Sequence, residues 1–106
     1  MDELSYLNEL FAEIEARRSA SPDTSYSAQL LANLPGAANK LGEEAIETVT
    51  AALAGSDEEL LAESADLIYH WMVVLAARGL TPKQVVEVLQ ARAGTSGLAE
   101  KAARQD

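Results

Sequence analysis

The sequence contains no cysteine, and this absence excludes disulfide bonds, thiolate metal sites and cysteine nucleophiles. Aromatic residues are also scarce, at 5% of the 106 residues, whereas hydrophobic residues make up 48%. A chain with few aromatic residues and many Ala, Leu and Glu residues is typical of helical proteins. The composition therefore predicts a single all-α domain spanning residues 1–106.

Basic residues are few, since eight Lys and Arg stand against seventeen Asp and Glu and give a formal net charge of −9. Binding to a nucleic-acid backbone requires clustered Lys and Arg, so we expect no nucleic-acid partner. A small phosphorylated ligand remains compatible with this charge, because a divalent cation held by carboxylates would neutralise the phosphates locally.

Long hydrophobic runs are absent as well. The longest apolar run covers residues 67–77 and includes His70, whereas a membrane span needs about 20 residues. The acidic N-terminus does not look like a signal peptide. We therefore expect a soluble, cytoplasmic protein with no membrane partner.

Periodicity predicts the first part of a bundle with four main helices. Apolar residues recur at steps of three and four over about residues 3–17, which is the spacing of one helical face. Pro22 lies in a cluster of turn-forming residues and prevents continuation of this helix. A short helical segment is predicted over about residues 26–33.

Two long helices are predicted next, over about residues 37–54 and 57–78. Gly55 suits the position that follows a helix C-terminus. Ser56 and Glu59 have the capping-box spacing, in which a serine is followed three residues later by a glutamate. This spacing predicts that the second of the two helices begins immediately after Ser56.

A fourth helix is predicted to begin after Thr81, because Thr81 and Gln84 repeat the capping-box spacing. Val85, Val86 and Leu89 are expected to form its buried stripe. The end of the chain, from about residue 93, is expected to be either a further helical turn or a mobile tail.

An acidic cluster lies near the middle of the chain and consists of Glu43, Glu44 and Glu47. At roughly 100° per residue, these three side chains share one helical face. Taken alone, the cluster also fits a solvated surface on which Lys40 pairs with Glu43 or Glu44. The opposite side is apolar and is expected to face the protein core: Leu41, Ala45, Ile46, Val49, Ala52 and Leu53.

A second acidic cluster, Glu63 and Asp66, immediately precedes the apolar run at residues 67–77. That run is apolar around nearly its whole circumference, so we expect it to be buried on several sides. Two carboxylates at this position repel each other unless they become protonated or bind a cation. His70 shares their helical face and is expected to be a core histidine hydrogen-bonded to Asp66.

The two clusters together indicate a metal site. If the two long helices are antiparallel neighbours, Glu44 and Glu47 face Glu63 and Asp66. Carboxylate oxygens suit Mg²⁺ or Mn²⁺ rather than zinc. No glycine-rich phosphate loop is present, so a bound phosphate would rely on the metal and on cations such as those of Arg18 and Lys40.

Residues 40–47, followed by residues 63–70, resemble the phosphoribosyl-ATP pyrophosphohydrolases of histidine biosynthesis. That family belongs to the all-α, MazG-like nucleoside triphosphate pyrophosphohydrolases. Ser27 departs from the threonine usual at the end of the Ser-Tyr-Thr stretch in the family. Other stretches that look like this family are residues 25–27, 78–80 and 95–101.

The resemblance implies hydrolysis of phosphoribosyl-ATP, which is 1-(5-phospho-β-D-ribosyl)-ATP, to phosphoribosyl-AMP and pyrophosphate. This reaction is the second step of histidine biosynthesis and uses Mg²⁺. On the positions that match the family motif, the metal ligands are expected to be Glu44, Glu47, Glu63 and Asp66.

Roles beyond the metal also follow from the resemblance. Glu43 is the candidate for orienting or deprotonating the attacking water, and Glu44 is able to exchange roles with it. Arg18 and Lys40 are candidates for phosphate contacts, and Tyr26 for the base or ribose.

Two other functions remain open at the level of sequence. One is a housekeeping pyrophosphohydrolase that acts on ordinary or damaged nucleoside triphosphates with the same metal site. The other is a non-catalytic acidic helical interaction protein, in which Glu63 and Asp66 would lie outside the core. In each case we expect a homodimer, because the helix containing residues 67–77 needs more cover than three short helices provide.

Overall fold

The computed structural model describes residues 2–94 and 97–104, and within these ranges it contains helices and no β-strand. The predicted all-α fold class is confirmed. Short 3₁₀ turns, Glu3–Ser5 and Arg17–Ser19, flank the first α-helix. The described α-helices are α1 (Tyr6–Ala16), α2 (Tyr26–Leu31), α3 (Leu34–Ala54), α4 (Asp57–Ala77), α5 (Pro82–Ala91) and α6 (Gly97–Arg104).

Both predicted capping boxes are present. The Ser56 hydroxyl accepts a hydrogen bond from the Glu59 backbone N–H at 3.1 Å, and the Glu59 carboxylate accepts one from the Ser56 backbone N–H at 3.0 Å. Thr81 and Gln84 exchange the equivalent bonds at the start of α5. These contacts satisfy backbone donors that a helix start leaves unpaired, and they fix where α4 and α5 begin.

Helix α3 begins three residues earlier than predicted. The Asn33 side chain caps it by accepting a hydrogen bond from the Gly36 backbone N–H at 3.1 Å. Pro35 lies in the first turn. The backbone N–H that a proline lacks would have no intrahelical acceptor at that position. The proline therefore belongs to the helix start and does not separate α3 from the segment before it.

Helices α3 and α4 form the centre of the fold. Each has 21 residues, and the short turn at Gly55 and Ser56 makes them antiparallel neighbours. Helices α1 and α2 pack over the C-terminal half of α4. The largest fully buried side chains there are Ile14, Met72 and Val73. This arrangement leaves the N-terminal half of α4 facing the middle of α3.

The side of α3 that faces α4 differs from the predicted one. Its buried residues are Ala37, Glu44 and Ala51, whereas Ile46, Val49 and Leu53 are exposed. The predicted core-facing side is therefore wrong within one chain. Small Ala side chains allow α3 to pack closely on α4, and the single chain supplies no second element to cover the apolar stripe.

The prediction that the apolar stripe of α5 is buried is also wrong for a single chain. Val85 is half-buried, while Val86 and Leu89 are exposed, and α5 has no buried residue. The amphipathic pattern correctly predicts the helix. It does not identify what covers the apolar face, because that depends on the neighbouring elements.

Among the described residues, α4 is the one helix long and apolar enough to span a membrane by length and composition. The core helix of a soluble protein meets the same criteria. In this structure 22% of the most apolar 18-residue stretch of α4 is buried, and the buried residues of the helix are His70, Met72, Val73 and Ala76.

The end of the chain takes the helical alternative over Gly97–Arg104. Residues 95, 96, 105 and 106, which belong to the segment predicted as a helical turn or tail, lie outside the described residues.

Candidate active site

Three carboxylates from the facing sides of α3 and α4 lie together. One carboxylate oxygen from each of Glu44, Glu63 and Asp66 lies within 4.8 Å of the others. We refer to these three residues as the carboxylate group. Glu44 is buried at 6% exposure, Glu63 is half-buried and Asp66 is exposed, so the group extends from the helix interface to solvent.

The carboxylate group has unsatisfied oxygens. Glu44 Oε2 and Glu63 Oε2 are both buried, and neither has a hydrogen-bond partner within residues 2–94 and 97–104. A buried carboxylate without compensating donors is costly, and neighbouring carboxylates add repulsion. A divalent cation would remove both penalties, and an all-oxygen donor set suits a hard ion such as Mg²⁺ or Mn²⁺. The residues present therefore fit the cation expected from the sequence.

Thr48 connects the two helices at this point. Its hydroxyl lies 2.7 Å from the carbonyl oxygen of Glu44 and 3.2 Å from that of Glu63. One hydroxyl hydrogen is thus shared between a carbonyl in its own helix and a carbonyl in the neighbouring helix. The contact holds the backbones of two carboxylate-bearing turns in register. The sequence does not reveal this role, because a single threonine inside a helix belongs to no recognisable motif.

Glu43 lies outside the carboxylate group. Its side chain is 63% exposed and accepts a hydrogen bond from Lys40 Nζ at 3.2 Å. Lys40 Nζ also lies 3.6 Å from Glu44 Oε1. The solvated-surface interpretation of the first acidic cluster therefore fits Glu43 and is wrong for Glu44.

The ammonium group of Lys40 is held in its charged form. The hydrogen bond to Glu43 and the negative charge of Glu43 raise the pKa of Lys40 above its usual value. Lys40 consequently supplies a positive charge between the exposed Glu43 and the buried Glu44. The role of Lys40 in phosphate binding stays a prediction.

Glu47 is exposed and is not one of the three converging carboxylates. It lines a cleft between α3 and α4 that Glu63 also lines. Glu47 therefore lies beside the group on its solvent side, and its role as a metal ligand stays a prediction.

His70 is a core histidine, as expected, with 6% exposure. The rings of Tyr26 and Tyr69 meet its imidazole edge-on, at centroid distances of 6.2 Å and 4.9 Å. Burial lowers the pKa of His70 below its usual value. Among the described residues Nδ1 has no hydrogen-bond partner, so the expected hydrogen bond from this atom to Asp66 is absent.

The hydroxyl of Ser27 forms a hydrogen bond with that of Tyr69. Serine replaces the threonine usual in the family at this position, yet the hydroxyl is present and engaged. The departure therefore removes only a methyl group from the contact between α2 and α4.

The three predicted substrate-binding residues are placed differently. Tyr26 begins α2 beside His70, and Lys40 contacts Glu44, so both lie near the carboxylate group. Arg18 donates to the carbonyl oxygen of Ala76 at 2.6 Å and to the carboxylate of Glu15 at 2.6 Å. Ala76 lies ten residues beyond Asp66, about 15 Å along α4. A single chain does not bring Arg18 to the site.

The fold and the carboxylate group define a class of protein, the all-α MazG-like proteins with carboxylates facing each other across two antiparallel helices. A family model described as phosphoribosyl-ATP pyrophosphohydrolase matches residues 7–93. The chain belongs to the phosphoribosyl-ATP pyrophosphohydrolase family, and it is a hydrolase. The resemblance seen in the sequence is confirmed.

Several relatives are similar over nearly the full length of the chain. A protein of Erythrobacter litoralis named phosphoribosyl-ATP pyrophosphatase is 57% identical over 104 residues, covering 97% of this chain and 100% of the relative. Proteins with the same name from Caulobacter vibrioides and Parvibaculum lavamentivorans are 55% and 52% identical. They cover 92% and 94% of this chain, and 92% and 93% of the relatives. Family membership contradicts the alternative of a non-catalytic interaction protein, although Asp66 is exposed as that alternative expected.

Proposed function

We propose that this protein hydrolyses phosphoribosyl-ATP to phosphoribosyl-AMP and pyrophosphate, as the second step of histidine biosynthesis in the cytoplasm, with Mg²⁺ or Mn²⁺ as cofactor. The observation that carries the proposal is the carboxylate group, with its two buried, unpartnered oxygens, in a member of this family. The names of the relatives support the substrate.

In this proposal Glu44, Glu63 and Asp66 hold the cation, and Glu47 joins them from the solvent side. When bound, the cation neutralises the triphosphate and polarises its phosphorus–oxygen bonds. Without this neutralisation, a polyphosphate would be repelled by a chain whose formal net charge is −9.

The remaining residues bind the substrate and handle the proton. A water oxygen bonds to the α-phosphorus, the bond from this phosphorus to the oxygen that bridges the α- and β-phosphates breaks, and pyrophosphate leaves with the bonding electrons. Glu43 or Glu44 orients the water and takes its proton. Lys40 contacts the phosphates, and Tyr26 contacts the base or ribose. Arg18 is a third candidate, for a phosphate that lies farther from the carboxylate group.

We also propose that the protein is a homodimer. Val49 and Leu53 are 58% and 84% exposed on α3, and Leu61 is 70% exposed on α4. Val49 and Leu53 follow each other at a helical step of four, so they form a continuous stripe with Ile46. Large exposed apolar patches mark contact surfaces, and a second copy would cover this one.

The test is to incubate the purified protein with phosphoribosyl-ATP, and separately with a panel of ordinary nucleoside triphosphates, with and without Mg²⁺. We expect pyrophosphate to form from phosphoribosyl-ATP and only when Mg²⁺ is present. Comparable rates with ordinary triphosphates would favour the housekeeping alternative. No pyrophosphate from any substrate would overturn the proposal.

A further inference from the structure

A cleft of about 310 Å³ adjoins the carboxylate group between α3 and α4, close to the turn that joins them. Small-molecule sites commonly have volumes of about 300–1,000 Å³. Ile46, Ala51 and Ala54 contribute apolar walls to this cleft, and its charged lining residues are Glu47, Glu59 and Glu63. No lysine or arginine lines it.

The cleft and the carboxylate group share Glu63. Glu44, more than nine-tenths buried, keeps its Oε2 unpartnered, and one of its oxygens lies within 4.8 Å of an oxygen of Glu63. A cation bound to these oxygens would therefore lie next to the cleft. A nucleotide whose triphosphate lies at the carboxylate group has the cleft beside it for another part of the molecule.

The negative charge of Glu59 persists at neutral pH. Hydrogen bonds from the Ser56 backbone N–H and hydroxyl lower the pKa of Glu59 below its usual value. The cap engages Oε1 of Glu59, and the residue still lines the cleft. Because Glu47 and Glu63 belong to the proposed cation site, Glu59 is the cleft carboxylate whose charge remains for another ligand, beside apolar walls. This combination suits a flat, cationic heterocycle better than a neutral one.

The chemistry of the substrate provides such a group. In phosphoribosyl-ATP a ribose is attached to N1 of the adenine ring, and substitution at N1 makes the ring an adeninium cation at neutral pH. The adenine of ATP is neutral under the same conditions. We propose that the cleft binds the N1-substituted adeninium ring, and that the Glu59 carboxylate selects phosphoribosyl-ATP over ATP by charge. The inference rests on the proposed function.

The test compares two uncleavable nucleotides in Mg²⁺ at neutral pH, α,β-methylene-ATP and its N1-methyl derivative, whose ring is cationic. Calorimetry gives the dissociation constant of each. We expect the wild-type protein to bind the N1-methyl compound about threefold more tightly, which is the scale of a contact between exposed opposite charges. Equal affinities for the two nucleotides would overturn the inference without any variant.

Glu59→Gln identifies the source of the preference. Glutamine preserves the capping box, as Gln84 does after Thr81, while it removes the charge. We expect the threefold preference to be largely lost. Glu58→Gln is the matched control, because Glu58 lies in the same helical turn and does not line the cleft. It should keep the full preference.

A preference unchanged in Glu59→Gln would overturn the inference. So would a change of oligomeric state in that variant, measured by sedimentation, because it would show that the cleft faces a second copy. Failure of the proposed function looks different. In that case phosphoribosyl-ATP would release no pyrophosphate, even if the wild-type protein still preferred the N1-methyl analogue.

Discussion

The hydroxyl of Thr48 donates across the interface between α3 and α4 to the carbonyl oxygen of Glu63, at 3.2 Å. The same hydroxyl lies 2.7 Å from the carbonyl oxygen of Glu44 in its own helix. The two acceptors belong to residues whose carboxylates converge. One side chain therefore sets the relative position of two carboxylates without itself being a ligand.

Thr48→Val should weaken the site and the fold together. Valine keeps the shape of threonine but leaves the carbonyl of Glu63 without this donor, so we expect the free energy of unfolding to fall by about 1 kcal/mol. We also expect weaker Mg²⁺ binding. Urea denaturation and calorimetric titration with Mg²⁺ measure the two effects.

The matched control is Thr50→Val. The Thr50 hydroxyl donates only to the Ile46 carbonyl, at 3.0 Å within α3, and the residue is exposed. If both variants lost Mg²⁺ affinity equally, the contact across the helices would not position the carboxylate group.

Asp66→Asn should abolish turnover without unfolding the protein. Removing one charge from a cluster of repelling carboxylates lowers its affinity for a cation and relieves strain in the metal-free protein. In wild type, Mg²⁺ should raise the melting temperature, because it binds the folded state, and this increase should be largely lost in the variant. Undiminished activity would refute the assignment. Asp57→Asn, an acidic residue in the first turn of the same helix, should behave like wild type.

Glu47→Gln tests the fourth ligand. We expect loss of turnover with unchanged stability in the absence of metal, because Glu47 is exposed beside the carboxylate group. Steady-state kinetics and urea denaturation in a chelator measure the two quantities. Full activity in this variant would restrict the metal site to Glu44, Glu63 and Asp66.

His70 should make stability depend on pH. Burial holds its folded-state pKa below the unfolded value of about 6.5, so the unfolded chain takes up a proton first as the pH falls. The stability contributed by neutral His70 is therefore complete above about pH 6.5 and is lost as the pH falls through the folded-state pKa.

His70→Gln should lose less stability than wild type between about pH 7.5 and pH 5.5, because glutamine does not titrate. Urea denaturation of both proteins in a chelator gives this comparison. Carboxylates titrate in both proteins, so the difference between them isolates His70. Parallel pH profiles would mean that His70 is not responsible.

Leu53→Glu should dissociate the proposed homodimer. The side chain is 84% exposed in one chain, so a charge there does not disturb the monomer but would be buried without a partner in a dimer interface. Sedimentation at micromolar concentrations should show a dimer for wild type and a monomer for the variant. Leu98→Glu, at an equally exposed leucine of α6, is the control. A monomeric wild-type protein would contradict the proposal.

The helix starts were the most predictable part of the fold. Ser56 with Glu59, and Thr81 with Gln84, interact over three residues, so the information that begins α4 and α5 lies within one turn of sequence. Helix α3 begins three residues before the predicted start, because a proline fits the first turn of a helix. The cap that permits a proline in the first turn comes from Asn33.

The residues of the site were predictable from the sequence. Which of them are buried and which are exposed was not. Helical geometry predicts that Glu43, Glu44 and Glu47 share one face. It did not show that Glu44 turns inward while Glu43 and Glu47 remain exposed. That choice depends on how α3 rotates against α4. The rotation is set by packing around Ala37 and Ala51 and not by the local hydrophobic pattern.

The sequence by itself determined the helical class, the absence of thiol chemistry, the excess of negative charge and the family, because each depends on composition or on residues close together in the chain. Only the tertiary structure decided that Glu44 meets Glu63, nineteen positions away, that the apolar stripe of α3 faces outward and that Arg18 bonds to Ala76. The physical reason is the same in each case. A helix carries its own pattern of side chains, but the free energy of burying one face is realised only when a neighbouring element covers it.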